Sequence, residues 1–176
     1  MPKKMTGQKT TLWWVKPALW TANPVTLDLS DMTTAIGAGN MINFTEAIEA
    51  GYTLNSSGSD TDESTSVATE GNGLSRGAAN FEADITFFRE KDPVTNTDSL
   101  FEDAFQLFKT RGVEGYWVQR FGYRFDTALA VGHLLNVYKV VSDYPQDVES
   151  DSGGPIRFRV PFGQNGFMLK HTAVVA

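Results

Sequence analysis

The sequence predicts a mainly β domain with one flanking α-helix, arranged as a two-sheet β-sandwich or half-barrel. Three observations lead to this class. Many segments alternate apolar and polar residues with a period of two, which is typical of strands with one face on a core. One segment alone, at about residues 98–111, carries helical apolar spacing. The 176 residues are 41% apolar and 12% aromatic, which is enough for a single domain over residues 1–176 with a sizeable core.

Strands are predicted where apolar and polar residues alternate or where strand-forming residues are dense. They cover residues 11–15, 25–29, 81–87, 115–123, 134–142, 156–162 and 167–176. Residues 41–48 are ambiguous between a strand and a short helix, and a strand is favoured. The sequence Gly163-Gln164-Asn165-Gly166 predicts a turn between the last two strands. A β-rich order with one helix fits two packed layers, with the helix on their side or end.

The single predicted helix begins at a capping box. Ser99 and Glu102 have the spacing in which each side chain satisfies a backbone N–H of the other residue, although Asp98 is a rival cap. Large apolar residues follow on one face, and Gly112 supplies the stop. Burying each of these side chains is worth about 1.5–3 kcal/mol before entropy, so the helix must lie on a sheet.

A long polar segment, residues 51–79, interrupts the strands. Gly, Ser, Thr, Asn and Asp dominate it. A mobile surface loop is the ordinary interpretation, but loops longer than about 12–15 residues inside compact domains are uncommon and usually functional. The segments on both sides belong to the same domain, so this one is not a linker. Residues 1–10, which are polar and basic, predict a flexible N-terminal arm.

The charge and the motif content argue against most chemistry. The net charge is −6 and the pI is about 4.9, whereas phosphate binding needs clustered Lys and Arg. The chain has no cysteine, and it contains no H-x-x-x-H, Walker lysine or G-x-G-x-x-G motif. It also has no run of about 18 apolar residues, so no membrane partner is expected. The sequence thus predicts no catalytic, cofactor-binding or metal-binding residues, and no enzyme.

The remaining candidates for chemistry each have a simpler interpretation. His133 and His171 lie far apart in the sequence, and a satisfied or surface histidine is favoured over a catalytic base at either position. Asp60, Asp62 and Glu63 invite a calcium site, because Ca²⁺ takes clustered oxygen ligands. The glycine and the glutamate that an EF-hand loop needs at its sixth and twelfth positions are missing, so an acidic loop is favoured.

Four charged residues on predicted strands are candidates for a surface role. Glu82 and Asp84 share one strand face and could pair as acid and base, but a polar outer face is favoured. Arg157 and Arg159, on the outer face of another strand, could meet acidic residues of a second subunit or only solvent. Strand edges with unpaired backbone need covering, which makes a partner plausible.

A series of segments recurs in the order found in a known protein family. The series comprises residues 53–54, 58–62, 70–72, 81–89, 101–105, 115–120, 140–146, 158–162 and 173–176. Together these segments resemble the major tail tube proteins of long-tailed, siphovirus-type actinobacteriophages. The resemblance covers most of the chain from about residue 50 onward, and it rests on the order of the segments because no single motif is specific.

The resemblance implies a subunit that forms hexameric rings, which stack into a hollow tube. It implies that residues 51–79 and the N-terminal arm reach between rings. The inter-ring candidates at the centre of the loop are Gly58, Ser59, Asp60, Thr61, Asp62 and Glu63. Arg157 and Arg159 are then candidates for charge contacts between subunits, and Glu82 and Asp84 are candidates to line the lumen.

The resemblance also implies the partners and the location. The partners are other copies of the chain and further tail proteins, namely the tape measure, terminator and baseplate proteins. DNA would pass through the lumen without being bound specifically. The protein would be part of the virion tail and would assemble in the bacterial host cytoplasm, without a cofactor.

Three alternatives remain open. A tail terminator or baseplate ring protein has a similar fold but usually stops at one ring. A carbohydrate-binding β-sandwich would stack sugars on exposed Trp13, Trp14 or Trp117, although tryptophans on strands are more often core or interface. A hydrolase with a carboxylate pair is the least favoured.

Overall fold

The computed structural model describes residues 10–20, 22–59, 61–62, 75–76, 80–148 and 154–176, with the backbone alone for 61–62 and 75–76. The strands are β1 Thr10–Val15, β2 Leu27–Asp28, β3 Met41–Asn43, β4 Thr53–Ser56, β5 Thr61–Asp62, β6 Ser75–Arg76, β7 Phe81–Phe88, β8 Glu114–Phe121, β9 Leu134–Ser142, β10 Gln146–Val148 and β11 Arg157–Val175. The helices are α1 Leu29–Gly37 and α2 Leu100–Phe108, with a 3₁₀ turn at Thr45–Ala47. Residues 1–9 of the predicted arm lie outside the described residues, and Thr10 already belongs to β1.

The strands form one large, mainly antiparallel sheet in the order β3-β1-β8-β9-β11-β7-β4. Strand β10 pairs with the beginning of β11, and β2 pairs in parallel with its end. Strand β11 has 19 residues, and it pairs with β7 through its first part and with β9 through its second part. The mainly β prediction is therefore confirmed. The sequence predicts a two-sheet β-sandwich or a half-barrel, and the described residues form one large sheet in place of two packed sheets.

The turn predicted at residues 163–166 is wrong, because β11 continues through it. The pairing of β11 with β9 shifts register between Gln164 and Met168, and Gly166 has a φ of +70°. A glycine with positive φ suits a bulge as well as a turn. The glycines therefore bend one long strand here instead of reversing the chain.

The sheet curves around an aromatic core, which we call the inner core. The rings of Phe87 on β7 and Trp117 on β8 lie 6.1 Å apart, although two strands separate β7 from β8 in the sheet order. The chain after β3 crosses to β7, where Ile48 forms a bridge with Phe87. These contacts correspond to the half-barrel of the predicted class.

Helix α2 covers the inner core, as the sequence predicts. The Ser99 hydroxyl accepts a hydrogen bond from the Glu102 backbone N–H at 3.2 Å, so the predicted cap is confirmed. Ala104 and Phe108 are fully buried, and the Phe108 ring meets the Trp14 ring edge to face at 4.9 Å. The helix thus seals the concave side of the sheet.

A second helix, α1, begins at the last residue of the strand predicted at residues 25–29, of which Leu27–Asp28 alone forms a strand. The Asp28 carboxylate caps it by accepting a hydrogen bond from the Ser30 backbone N–H at 2.8 Å. Met32 and Ala35, which are three residues apart, are its buried positions. The prediction of a single helix is therefore wrong, and the predicted strand ends at the Asp28 cap instead of continuing through Leu29.

Helix α1 packs on the convex side of the sheet and creates what we call the outer core. Met32 and Ala35 join Trp13, Val118 and Val137 in this cluster. Strands β1, β8 and β9 therefore send alternate side chains into two cores. Neither helix of the described chain is long and apolar enough to cross a membrane.

Candidate interaction surfaces

The predicted long loop is built as a continuation of the β4–β7 hairpin. Thr53 lies opposite Asp84 in the ladder, and the Ser57 backbone N–H donates to the Asn80 carbonyl at 2.8 Å. Further along, strand β5 pairs with β6, and Asp62 lies opposite Ser75. All of these pairs fit one antiparallel register, because each step forward along the first strand is matched by one step back along the second. One register therefore runs from the sheet into the β5–β6 ribbon, and we call the hairpin beyond the sheet, residues 57–80, the hairpin arm.

The hairpin arm changes the bounds of the predicted loop. Thr53–Ser56 forms β4 and belongs to the large sheet, so the loop begins later than residue 51. Of the inter-ring candidates, Gly58 and Ser59 follow β4, and Thr61–Asp62 forms β5. Asp60 and Glu63 lie outside the described residues, so a calcium site there stays untested. The role of these residues between rings stays a prediction.

The outer side of β4, β7 and the first part of β11 is a polar sheet face. On β7, Phe81, Ala83, Ile85 and Phe87 are buried in the inner core, and the residues between them point away from it. We call this surface the polar face. Its members are Thr53, Asn55, Glu82, Asp84, Thr86, Arg157 and Arg159, all exposed or half-buried. Glu82 and Asp84 thus share one face, as the alternation predicts.

Both arginines of the polar face pair with acids of the same chain. Arg159 donates from Nε to both carboxylate oxygens of Asp84 at 2.8 Å, and its Nη2 also contacts Asp84. The hydrogen bonds and the charge of Asp84 raise the pKa of the Arg159 guanidinium. Arg157 pairs with Glu49 in the same way through Nη1. Contacts of these arginines with another subunit stay a prediction, and in the single chain their charges are already matched.

Glu82 differs from its neighbour Asp84. Its side chain is exposed, and it has no ion pair or hydrogen bond with any of the described residues. Asp84 is held by Arg159. Glu82 therefore carries a carboxylate that no described residue neutralises, and it is the stronger of the two lumen candidates.

The two histidines have different surroundings. His171 is exposed, whereas His133 is 8% exposed and its Nδ1 lies 3.3 Å from the buried Arg120. The sequence analysis missed this pair. The signal was present, because Arg120 occupies the same strand face as the apolar Tyr116 and Val118.

The arrangement offers no support for chemistry or sugar binding. Within the described ranges, no group of three His, Cys, Asp or Glu residues could hold a metal ion. Trp13 is 4% exposed, and Trp14 and Trp117 are fully buried. A tryptophan in the core has no face to offer a sugar ring, so the observation behind a carbohydrate-binding module is removed.

Comparisons with known proteins identify a family for the chain. No curated protein matches the chain. A chain in the "Cryo-EM structure of the anti-feeding prophage (AFP) baseplate, 6-fold symmetrised" aligns with a TM-score of 0.49 and 11% identity, over 97% of this chain and 98% of that chain. A family model described as phage tail tube protein matches residues 1–176, which confirms the resemblance at the level of the family. The chain therefore belongs to the phage tail tube protein family, whose members are structural proteins and not enzymes.

Proposed function

We propose that the protein forms hexameric rings that stack into the hollow tail tube of a long-tailed bacteriophage, through which DNA reaches the host. Family membership supports the tube, and the resemblance to siphovirus-type actinobacteriophage proteins suggests the ring of six. The hairpin arm is the observation that carries the stacking, since its described strands continue the β4–β7 register beyond the large sheet and pair with each other alone.

The physics of the hairpin arm favours a partner. Asp62 lies six residues beyond Ser56, so the chain between them can span up to about 20 Å. An isolated two-stranded ribbon is marginally stable at best in water, so packing against another molecule stabilises it. A head-to-tail contact between identical subunits builds a filament when its rotation does not close a ring.

Sheet edges supply a second means of association. Strands β3 and β4 end the sheet order, and each has one side without a strand neighbour in the described chain. Unpaired strand edges are templates for pairing with another chain, and closing subunits into a ring removes them. We assign these edges to contacts within a ring and the hairpin arm to contacts between rings.

The charge of the chain suits a passage for DNA. Each subunit carries a net charge of −6, so a ring of six is strongly acidic. An acidic wall repels phosphate, and DNA then moves past it without binding. We assign the polar face to the lumen, with Glu82 as its unpaired carboxylate. Asp84 also lies there, but Arg159 offsets its charge.

The proposed location and partners follow from the tube. The protein is a component of the virion tail, assembles in the host cytoplasm, and meets the tape measure, terminator and baseplate proteins there. A terminator or baseplate ring protein of similar fold is the second candidate. The hairpin arm favours the tube, because a single ring has no need for a segment that reaches the next ring.

Negative-stain electron microscopy of the purified protein over a concentration series tests the proposal. Tubes with a central channel are the expected result. Single rings that never stack would favour the second candidate. A monomer that persists at high concentration would contradict both.

A further inference from the structure

The loop between β8 and β9, residues 122–133, is folded around one buried side chain. Arg120 is 0% exposed, and its Nη2 donates to the carbonyls of Arg124 at 2.9 Å and Thr127 at 2.8 Å. Its Nη1 donates to the Ala128 carbonyl at 3.2 Å. One guanidinium therefore donates hydrogen bonds to three carbonyl groups of the loop.

The buried guanidinium has no carboxylate partner among the described residues. Its other contacts are the Thr11 hydroxyl at 3.1 Å and the rings of Trp13 and Tyr123, at 4.9 and 5.2 Å. Burial lowers the pKa of Arg120, but an arginine stays protonated in proteins. Among the described residues, its positive charge is thus balanced by carbonyl and hydroxyl dipoles and by aromatic faces, and a second positive charge nearby would be costly.

His133 completes this arrangement as an acceptor. Its Nδ1 lies 3.3 Å from Nη1 of Arg120 and 3.3 Å from the backbone N–H of Ala130. Both neighbours are N–H donors, so Nδ1 carries no proton, and the ring is neutral with its proton on Nε2. The ring also stacks on Tyr123, with 4.0 Å between centroids.

The charges around His133 are few. Arg120 faces it from β8, and Tyr123 faces it from the loop. The only other ion pair of the loop in the described chain, Arg124 with Asp126, is more than half exposed and satisfied within itself. From β11, the contact is through backbone, since the Val174 N–H donates to the His133 carbonyl at 2.9 Å.

We propose that Arg120 and His133 form an acid-sensitive latch that holds residues 122–133 closed while the histidine is neutral and releases them when it is protonated. A proton on Nδ1 removes both hydrogen bonds that this atom accepts. It also places a second positive charge beside the guanidinium, which has no carboxylate to compensate.

The direction of the pH dependence follows from the histidine. Burial and the charge of Arg120 both lower the pKa of His133 in the folded chain. The opened state therefore binds the proton more tightly than the latched state. The latch is fully stable above the ordinary histidine pKa of about 6.5, and its stability falls as the pH drops through that value towards the lowered pKa.

The latch controls a surface that is rich in apolar groups. Large apolar side chains exposed in or beside this loop are Phe121, Tyr123, Val131, Leu134 and Val175. Opening the loop rearranges this surface. The inference concerns the isolated subunit, so it stands whether or not the chain forms a tube.

Hydrogen exchange of the full chain at pH 7.5 and 5.5 tests the latch, after correction for the intrinsic pH dependence of exchange. The reporters are the amides of Ala130 and Gly132, and the Gly132 N–H donates to the Val174 carbonyl at 2.9 Å. Because pH 5.5 lies one unit below the ordinary histidine pKa of about 6.5, we expect their protection to fall by up to about tenfold. The amide of Lys109, which is bonded to Phe105 at the end of α2, should keep its protection.

The two histidines of the chain give a matched pair of variants. His133→Asn keeps an acceptor near the Nδ1 position but does not titrate, so the loop should become insensitive to pH. His171→Asn removes the exposed histidine, whose φ of +51° asparagine tolerates, and it should behave as the wild type.

Three results would overturn the latch. The first is that protection of the loop amides in the wild type does not change with pH. The second is that His171→Asn abolishes the change, and the third is that His133→Asn retains it. If His133→Asn does not fold, an NMR titration of the wild type decides the question. A His133 pKa below 6.5 with loop resonances that titrate along with it supports the latch, and a pKa of 6.5 or higher contradicts it.

Discussion

Two regions of the same sheet are covered differently. Strands β1, β8 and β9 have a core on both faces, so six consecutive residues of β8 are buried. Strand β7 and the first part of β11 have the inner core on one face and the polar face on the other, so β7 alternates buried and exposed residues. A strand covered on both sides has its surfaces occupied by its own subunit. The region covered on one side, from which the hairpin arm extends, keeps a whole sheet face exposed or half-buried.

Shortening the hairpin arm should have the largest effect. We expect that joining Ser57 to Asn80 through a two-residue Asn-Gly turn, in place of residues 58–79, abolishes tube formation and leaves the fold intact. Asn-Gly suits a two-residue hairpin, and the junction preserves the register of β4 with β7. Electron microscopy checks assembly, and the thermal midpoint checks the fold. Tubes formed by the shortened chain would remove the assignment of the arm.

The register of the arm decides how it can be shortened. A deletion of residues 56–66, which would remove all the inter-ring candidates from Gly58 to Glu63, would also remove Ser56 from its pairing with Phe81. It would also remove β5 and leave β6 without its partner. A loss of assembly in that variant would not distinguish a missing arm from a disturbed sheet, whereas the Asn-Gly junction does.

Truncation in the doubly covered region should have the next largest effect. Trp117→Ala should lower the free energy of unfolding by about 3–5 kcal/mol, because it opens a cavity in the inner core where Trp14 and Phe87 pack on the indole. Denaturant unfolding measures this change. Val94→Ala, at a position that is 89% exposed, is the control and should change little. Equal effects of the two changes would contradict the packing described for β8.

Charge reversal on the polar face should have a smaller effect, and it should differ between two neighbouring acids. Asp84→Lys removes the partner of Arg159 and places two positive charges together, so we expect the thermal midpoint to fall by a few degrees. Adding Arg159→Glu to Asp84→Lys should restore most of the loss, because the pair is re-formed with its signs exchanged. A double variant as unstable as Asp84→Lys alone would contradict the pairing.

Glu82→Lys should have the smallest effect on the subunit. Glu82 is exposed and has no partner in the described chain, so the midpoint and tube formation should stay unchanged. Infectivity of phage carrying Glu82→Lys should fall, because a lysine in the channel attracts phosphate. Glu82→Gln is the control and should lower infectivity less. Unchanged infectivity with lysine would argue that Glu82 does not face the lumen.

The same comparison explains what the sequence could predict. Strand β7 is evident because its alternation reports a single covered face, and α2 is evident because Ser99 and its apolar face agree. Helix α1 is not evident, because its buried Met32 and Ala35 are too few to outweigh the strand-like residues before it. Local patterns thus identify elements whose environment is uniform along their length.

The ion pairs and the latch depend on register and could not be read from residue patterns. Arg159 reaches Asp84 because Arg159 lies opposite Thr86 and Asp84 is its diagonal neighbour across the two strands. Glu49 comes from a distant part of the chain to meet Arg157. A shift of one residue in the pairing would turn these side chains to the other face of the sheet. The arginines therefore resembled unpaired surface charges in the sequence.

A helical cryo-EM reconstruction of assembled tubes tests the central claim most directly. The account predicts that the hairpin arm contacts the next ring and that the polar face, with Glu82, lines the channel. Tubes in which the side carrying α1 lines the channel, with the polar face outermost and the arm free of neighbours, would contradict it.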